Sequence, residues 1–167
     1  MKSTALAIFA ATVVLLAANA DARTQTLSHE QVIKAVAFLE QRPNDETAPA
    51  LRSLLVDWED KSRDVVDYVC PEVLAPIPAD DVPNSSELLG QFIFGGAAFQ
   101  LAHPDQKGKL QPGQLAGMRS MLRAYQSMLA LDQAARIPRL DELSAKEADG
   151  TLPAYLAPVV AAGCDKH

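Results

Sequence analysis

From residue 28 onward, apolar side chains recur mainly at intervals of three and four, the spacing that lines one face of a helix. Runs of strict alternation, the mark of strands, are nearly absent. Ser28 opens the first helical segment. It has capping-box spacing with Gln31, and Val32, Val36 and Leu39 follow before Pro43 ends the run. A second helix is predicted from about Thr47 to Cys70. Its apolar stripe is Leu51, Leu54, Leu55, Trp58, Val65, Val66 and Val69, and its polar face carries Asp57, Asp60, Asp64 and Asp67. The proline-rich connection 71–84, PEVLAPIPADDVPN, then interrupts the period. Its four prolines favour extended backbone and remove donors. The connection is long for a loop, and Val73, Leu74 and Ile77 supply side chains with which to pack against the body.

The third helix is predicted over about 86–102, with Asn84 and Glu87 at capping-box spacing, Ser85 and Ser86 as rival caps, and His103-Pro104 at its end. Leu88, Leu89, Phe92 and Phe99 fall on one side, and Phe94 and Leu101 on the other, beside Gly90 and Ala97. A helix apolar nearly all round lies inside a protein or in lipid. This one is shorter than the roughly 20 residues that cross a bilayer, so it is expected at the centre of the fold. The fourth helix, about 112–133, carries a seam of Leu115, Met118, Leu122, Tyr125 and Leu129 that suits a neighbouring helix. Met121 and Met128 widen the seam, and Gly113 and Gly117 permit close backbone approach. Two short helices are expected in the tail. Pro138 suits the first turn of one, which carries Leu140 and Leu143 and ends near Gly150. Thr151 is placed to cap the other, which carries Tyr155, Leu156, Val159 and Val160. The expected fold is therefore all-α: a single-domain helical bundle over 21–167, with four to five main helices and one long Pro-rich connection.

The N-terminus has a different pattern. Lys2, an apolar run over 5–18 and the small-residue sequence Ala18-Asn19-Ala20 are the three parts of a secretory signal peptide over residues 1–20. Cleavage is expected after Ala20, or after Ala22 through Ala20-Asp21-Ala22. The run is short for a bilayer span and polar residues follow it. The mature chain is thus expected to be periplasmic or secreted, with no transmembrane segment. Its two cysteines, Cys70 and Cys164, are expected to form a disulfide in that oxidising setting.

Charge narrows the partners. Without Lys2, the chain carries 14 basic against 21 acidic side chains, a net charge of -7. An acidic chain with no basic cluster repels a phosphate backbone, so nucleic acid is not an expected partner. The Asp57–Asp67 row reads as a solvated face with ordinary surface pairs to Lys61 and Arg63, not as a metal cage.

Candidate chemistry is sparse. His29, His103 and His167 are scattered, and no H-E-x-x-H, G-x-S-x-G, C-x-x-C or phosphate-binding loop occurs. Gly95-Gly96 sits inside an apolar helix, away from any strand-to-helix turn. Residues 124–132, AYQSMLALD, resemble the second helix of a tetratricopeptide repeat, but no second copy follows at a period of about 34 residues, so no array is expected. No cofactor, metal or catalytic residue is assigned.

The expected function is non-catalytic: an exported protein that binds an envelope or extracellular protein partner. One alternative is a carrier of a small apolar ligand, and a second is an enzyme with a site that no motif reveals. Phe92, Phe94, Phe99, Met118, Met121 and Met128 are the candidate ligand or partner surface, because methionine-rich and aromatic faces adapt to apolar partners. An exposed apolar patch would favour the partner reading. An enclosed pocket lined by the phenylalanines and methionines would favour the carrier.

Overall fold

A computed structural model describes residues 27–164. Among the described residues the chain is all-helical, with seven α-helices and no strand: α1 (His29–Gln41), α2 (Ala48–Glu59), α3 (Pro71–Leu74), α4 (Ser85–Ala102), α5 (Leu110–Leu131), α6 (Pro138–Ala148) and α7 (Leu152–Gly163). The signal-peptide expectation falls outside the described residues, as does His167. No helix among those described is long and apolar enough to cross a membrane.

Helices α4 and α5 make the most extensive helix pair, and α1 packs against both. Two glycines allow the close approach. A Cβ on Gly95 would lie 2.2 Å from Ser120 Cβ, and one on Gly117 would lie 2.6 Å from the Phe92 carbonyl oxygen. Gly113, the other glycine of the expected pair, faces nothing within 4 Å.

Apolar side chains gather in two clusters, and α4 serves both. Its Leu88 and Phe92 join α3, α5, α6 and α7 around Met118, Met121, Tyr125, Leu140 and Leu156. Its Phe94 and Ala97 join α1 and α2 around Val36, Leu39, Leu55 and Trp58. This is the physical meaning of a helix apolar on both sides. Tyr125 ties α5 to the start of α6: its hydroxyl donates to Asp141 Oδ1 at 2.6 Å and accepts from the Ile137 N–H at 3.0 Å. Burial and the hydrogen bond to Asp141 push its phenol pKa up.

Local signals had mixed outcomes. Ser28 and Gln31 form the expected capping box. Asn84 makes no side-chain cap and takes a left-handed backbone, φ 53°, while the neighbouring Ser85 hydroxyl accepts from Ala79 N–H at 2.8 Å. Thr151 also makes no cap, because its hydroxyl donates to Asp149 Oδ1. Within the proline-rich connection, Val73, Leu74 and Ile77 are buried as expected. Its Ala75–Pro76 and Ile77–Pro78 peptide bonds are cis. The sulfurs of Cys70 and Cys164 stand at disulfide distance, their Cα atoms 5.5 Å apart, joining α3 to the end of α7.

The largest departure is the second helix. It ends at Glu59, and residues 65–70 run without helix to α3. Ser62 Oγ accepts from the Asp64 N–H at 3.1 Å, a local turn that competes with helix continuation. Val65, Val66 and Val69 are β-branched and suit extended backbone. The additional short helix α3 forms at Pro71–Leu74, inside the connection expected to be extended.

Candidate functional site

Five of the six residues proposed as a ligand or partner surface are withdrawn into the interior. Phe92 and Phe94 are 2% exposed, and Met118, Met121 and Met128 are 1% or less. Phe92 and Phe94 belong to different clusters, and the methionines fill the space between α5 and its neighbours. Phe99 alone stays partly exposed, with its ring 4.8 Å from that of His103.

Exposed large apolar side chains lie elsewhere. Val66 (38%), Tyr68 (45%) and Val69 (47%) fall within four consecutive residues of the strap that crosses from one apolar cluster to the other. The strap is anchored at both ends, by Val65 in the α1–α2 cluster and Cys70 in the α5–α7 cluster. Between those anchors two glutamines hold it from below. Gln100 on α4, 4% exposed, uses all its hydrogen-bonding capacity. Its Oε1 accepts from the N–H groups of Val66 and Gly108, each at 3.0 Å. Its Nε2 donates to the carbonyls of Val66 at 3.0 Å and Gly96 at 3.3 Å. Rotating this amide by half a turn would set donors against donors, so the surroundings dictate its orientation. Gln114 on α5, 3% exposed, donates from Nε2 to the Tyr68 carbonyl at 2.5 Å. Its Oε1 is buried and meets no donor among the described residues. The side-chain amides thus take the place of a neighbouring strand, meeting residues 66 and 68 on the same edge. Lys107 adds a hydrogen bond from Nζ to the Arg63 carbonyl.

The carboxylates assigned to one helical stripe are dispersed by the break at Glu59. Asp64 meets His29, whose Nε2 lies 2.8 Å from Asp64 Oδ2 on an exposed surface, and the His29 ring stands edge-on to Trp58 at 6.4 Å. Glu59 is the unusual group. Its Oε1 is buried with no hydrogen-bond partner among the described residues. Burial first, then the nearby charges of Asp67 and Asp60, raise its pKa to about 8. Burial also raises that of Asp67. Among the described residues, no group of three His, Cys, Asp or Glu side chains is placed to hold a metal ion.

A second region surrounds a charged ridge on α5. Arg123 makes a bidentate pair with Glu40 of α1, both contacts at 2.7 Å, and this pairing holds the guanidinium pKa above its ordinary value. Ser120 donates to Glu40 Oε1 at 2.6 Å and accepts from Gln91 Nε2 at 2.9 Å. Arg119 pairs with Glu147 of α6 through one contact, Nε to Oε1 at 2.8 Å. Open clefts lie on either side of the ridge. One, of about 400 Å³, has an apolar floor that includes Val36, Ala98, Phe99 and Leu115. The other, of about 530 Å³, runs between α5 and α6 past Gln126, Ser127 and Ser144.

Each arginine of the ridge is already neutralised by a carboxylate, and Ser120 is buried and committed to Glu40 and Gln91. His29 and Asp64 face solvent with no described nucleophile between them. Gln100, a polar residue on the largely apolar α4, proves to be the residue that positions the strap. Nothing in the spacing linked it to Val66, because the pair is 34 residues apart. No family model, curated protein or solved structure matches this chain.

Proposed function

We propose that this chain is an exported helical protein that works by binding a protein partner through the strap at residues 65–69. One observation carries this reading: Val66, Tyr68 and Val69 are exposed together on a segment that two buried glutamines hold in place. Exposed apolar groups on a preorganised segment favour association, because little ordering entropy remains to be lost on binding. Export is supported by the cysteine pair at disulfide distance and by the N-terminal pattern of residues 1–20.

The test is recovery of bound protein from an envelope extract by the mature chain and by its Tyr68→Ser/Val69→Ser variant. A partner retained by the first and lost by the second, at unchanged thermal stability, is the expected outcome. Equal recovery by both would remove the strap from the reading.

The apolar-floored cleft beside Phe99 favours a second reading, carriage of a small apolar ligand. Its volume of about 400 Å³ is in the usual range for such sites. Mass spectrometry of an organic extract of the purified protein separates the two. A stoichiometric lipid would support the carrier, and its absence would count against it.

A further inference from the structure

The strap has a second edge. A single amide, that of Gln100, bonds both the N–H and the C=O of Val66. That double contact requires extended backbone at Val66, with both groups on the same side, as in a hydrogen-bonded strand pair. Two residues on, the Tyr68 carbonyl meets Gln114 on that same side. In extended backbone the intervening residues turn their N–H and C=O groups the opposite way. Asp67 and Val69 therefore direct theirs outward. No hydrogen bond among the described residues engages the backbone of either one.

We infer that the outward edge of residues 65–69 accepts an extended segment of the partner protein by strand addition. The inference rests on the partner-binding reading above and names its mode. An edge with unpaired groups at alternate residues is a template for another strand. Main-chain bonds to Asp67 and Val69 would supply register. Val66 and Tyr68, which share a face of the extended strap, would take apolar side chains from alternate positions of the added segment. Charge adds a second criterion. Asp67 on the strap and the nearby Asp60 both lie close to Glu59, so the fitting segment carries lysine or arginine where it meets Asp67. The anchors at Val65 and Cys70 and the glutamine clamp keep the edge straight in the free protein.

The probe is a phage-displayed library of random linear peptides, panned on the oxidised mature chain. The best binder is then made in three forms: unmodified, N-methylated at odd positions and N-methylated at even positions. Strand addition removes only one register of amides from solvent. One methylated form should therefore lose affinity roughly tenfold or more, while the other keeps it. The unmodified peptide should also protect the Asp67 and Val69 amides from hydrogen exchange. Equal affinity of the two methylated forms, or unprotected amides, overturns strand addition. If Tyr68→Ser still abolishes binding in that case, the side-chain surface stands and only its mode falls. A library that yields no binder, or binders indifferent to Tyr68→Ser, overturns both readings.

Discussion

Glu59 and Gln100 are both partly or wholly buried polar residues next to the strap, and they differ in satisfaction. Gln100 has a partner for every donor and acceptor it uses, so its burial is compensated. Glu59 has a buried oxygen with none, and it lies near two other carboxylates. Its folded form keeps the proton to about pH 8, whereas the ordinary value is 4.5. Between those values the folded state binds more protons than the unfolded one, so stability falls as pH rises from about 4.5 to about 8. Glu59→Gln removes the ionisation. Urea unfolding should show the variant more stable than the parent at pH 8 by about 1–3 kcal/mol, with little difference below pH 4.5. A parent whose stability is flat across this window would show that the carboxyl is hydrated in solution. Neither residue's role could be read from its position in the sequence. A glutamine in an apolar helix signals only that something polar must meet it, and the identity of that group is a tertiary fact.

At the scale of elements, the α4–α5 contact depends on two missing side chains. The sequence pointed to Gly113 and Gly117 as a pair on one helix. The contact instead uses Gly117 and Gly95, on opposite helices. Gly95→Ala would drive a methyl group into Ser120, displacing the hydroxyl that holds Glu40 and Gln91. A loss of about 1–3 kcal/mol is expected. Gly113→Ala meets nothing within 4 Å and should be neutral or stabilising, by up to about 1 kcal/mol from helix propensity. Thermal unfolding of the two variants side by side distinguishes them, and equal effects would contradict the close approach. The strap records the limit of periodicity at this scale. Its valines fall at helical spacing, yet the segment is extended. Gln100 and Gln114 satisfy part of its backbone, and β-branched residues accept either conformation when hydrogen bonds are supplied.

At the scale of the whole molecule, two apolar clusters share one helix, and the strap and the cysteine pair cross between distant parts of the chain. Cys70 and Cys164 are 94 residues apart in sequence. Joining them restricts the unfolded chain, which in the loop-entropy account stabilises by about 4–5 kcal/mol. Reduction, or Cys70→Ala with Cys164→Ala, should lower the unfolding midpoint markedly. Intact-mass measurement should show two hydrogens gained on reduction, and unchanged mass would mean the thiols are free.

The sequence by itself determined the all-helical class, the start of α1, the central place of α4 and the packing of Val73, Leu74 and Ile77. Each of these follows from local spacing or from the cost of leaving an apolar side chain in water, and both are properties of the chain. Tertiary structure alone decided which apolar residues remain outside. Phe92 and the α5 methionines disappeared into the cluster that α3, α4, α5, α6 and α7 build together, whereas Val66, Tyr68 and Val69 stayed exposed because the strap passes over α4 and α5 on the outside. Hydrophobicity says that a residue can be buried. Whether it is buried depends on what else competes for the same interior volume, and that competition is settled only when the whole chain has packed.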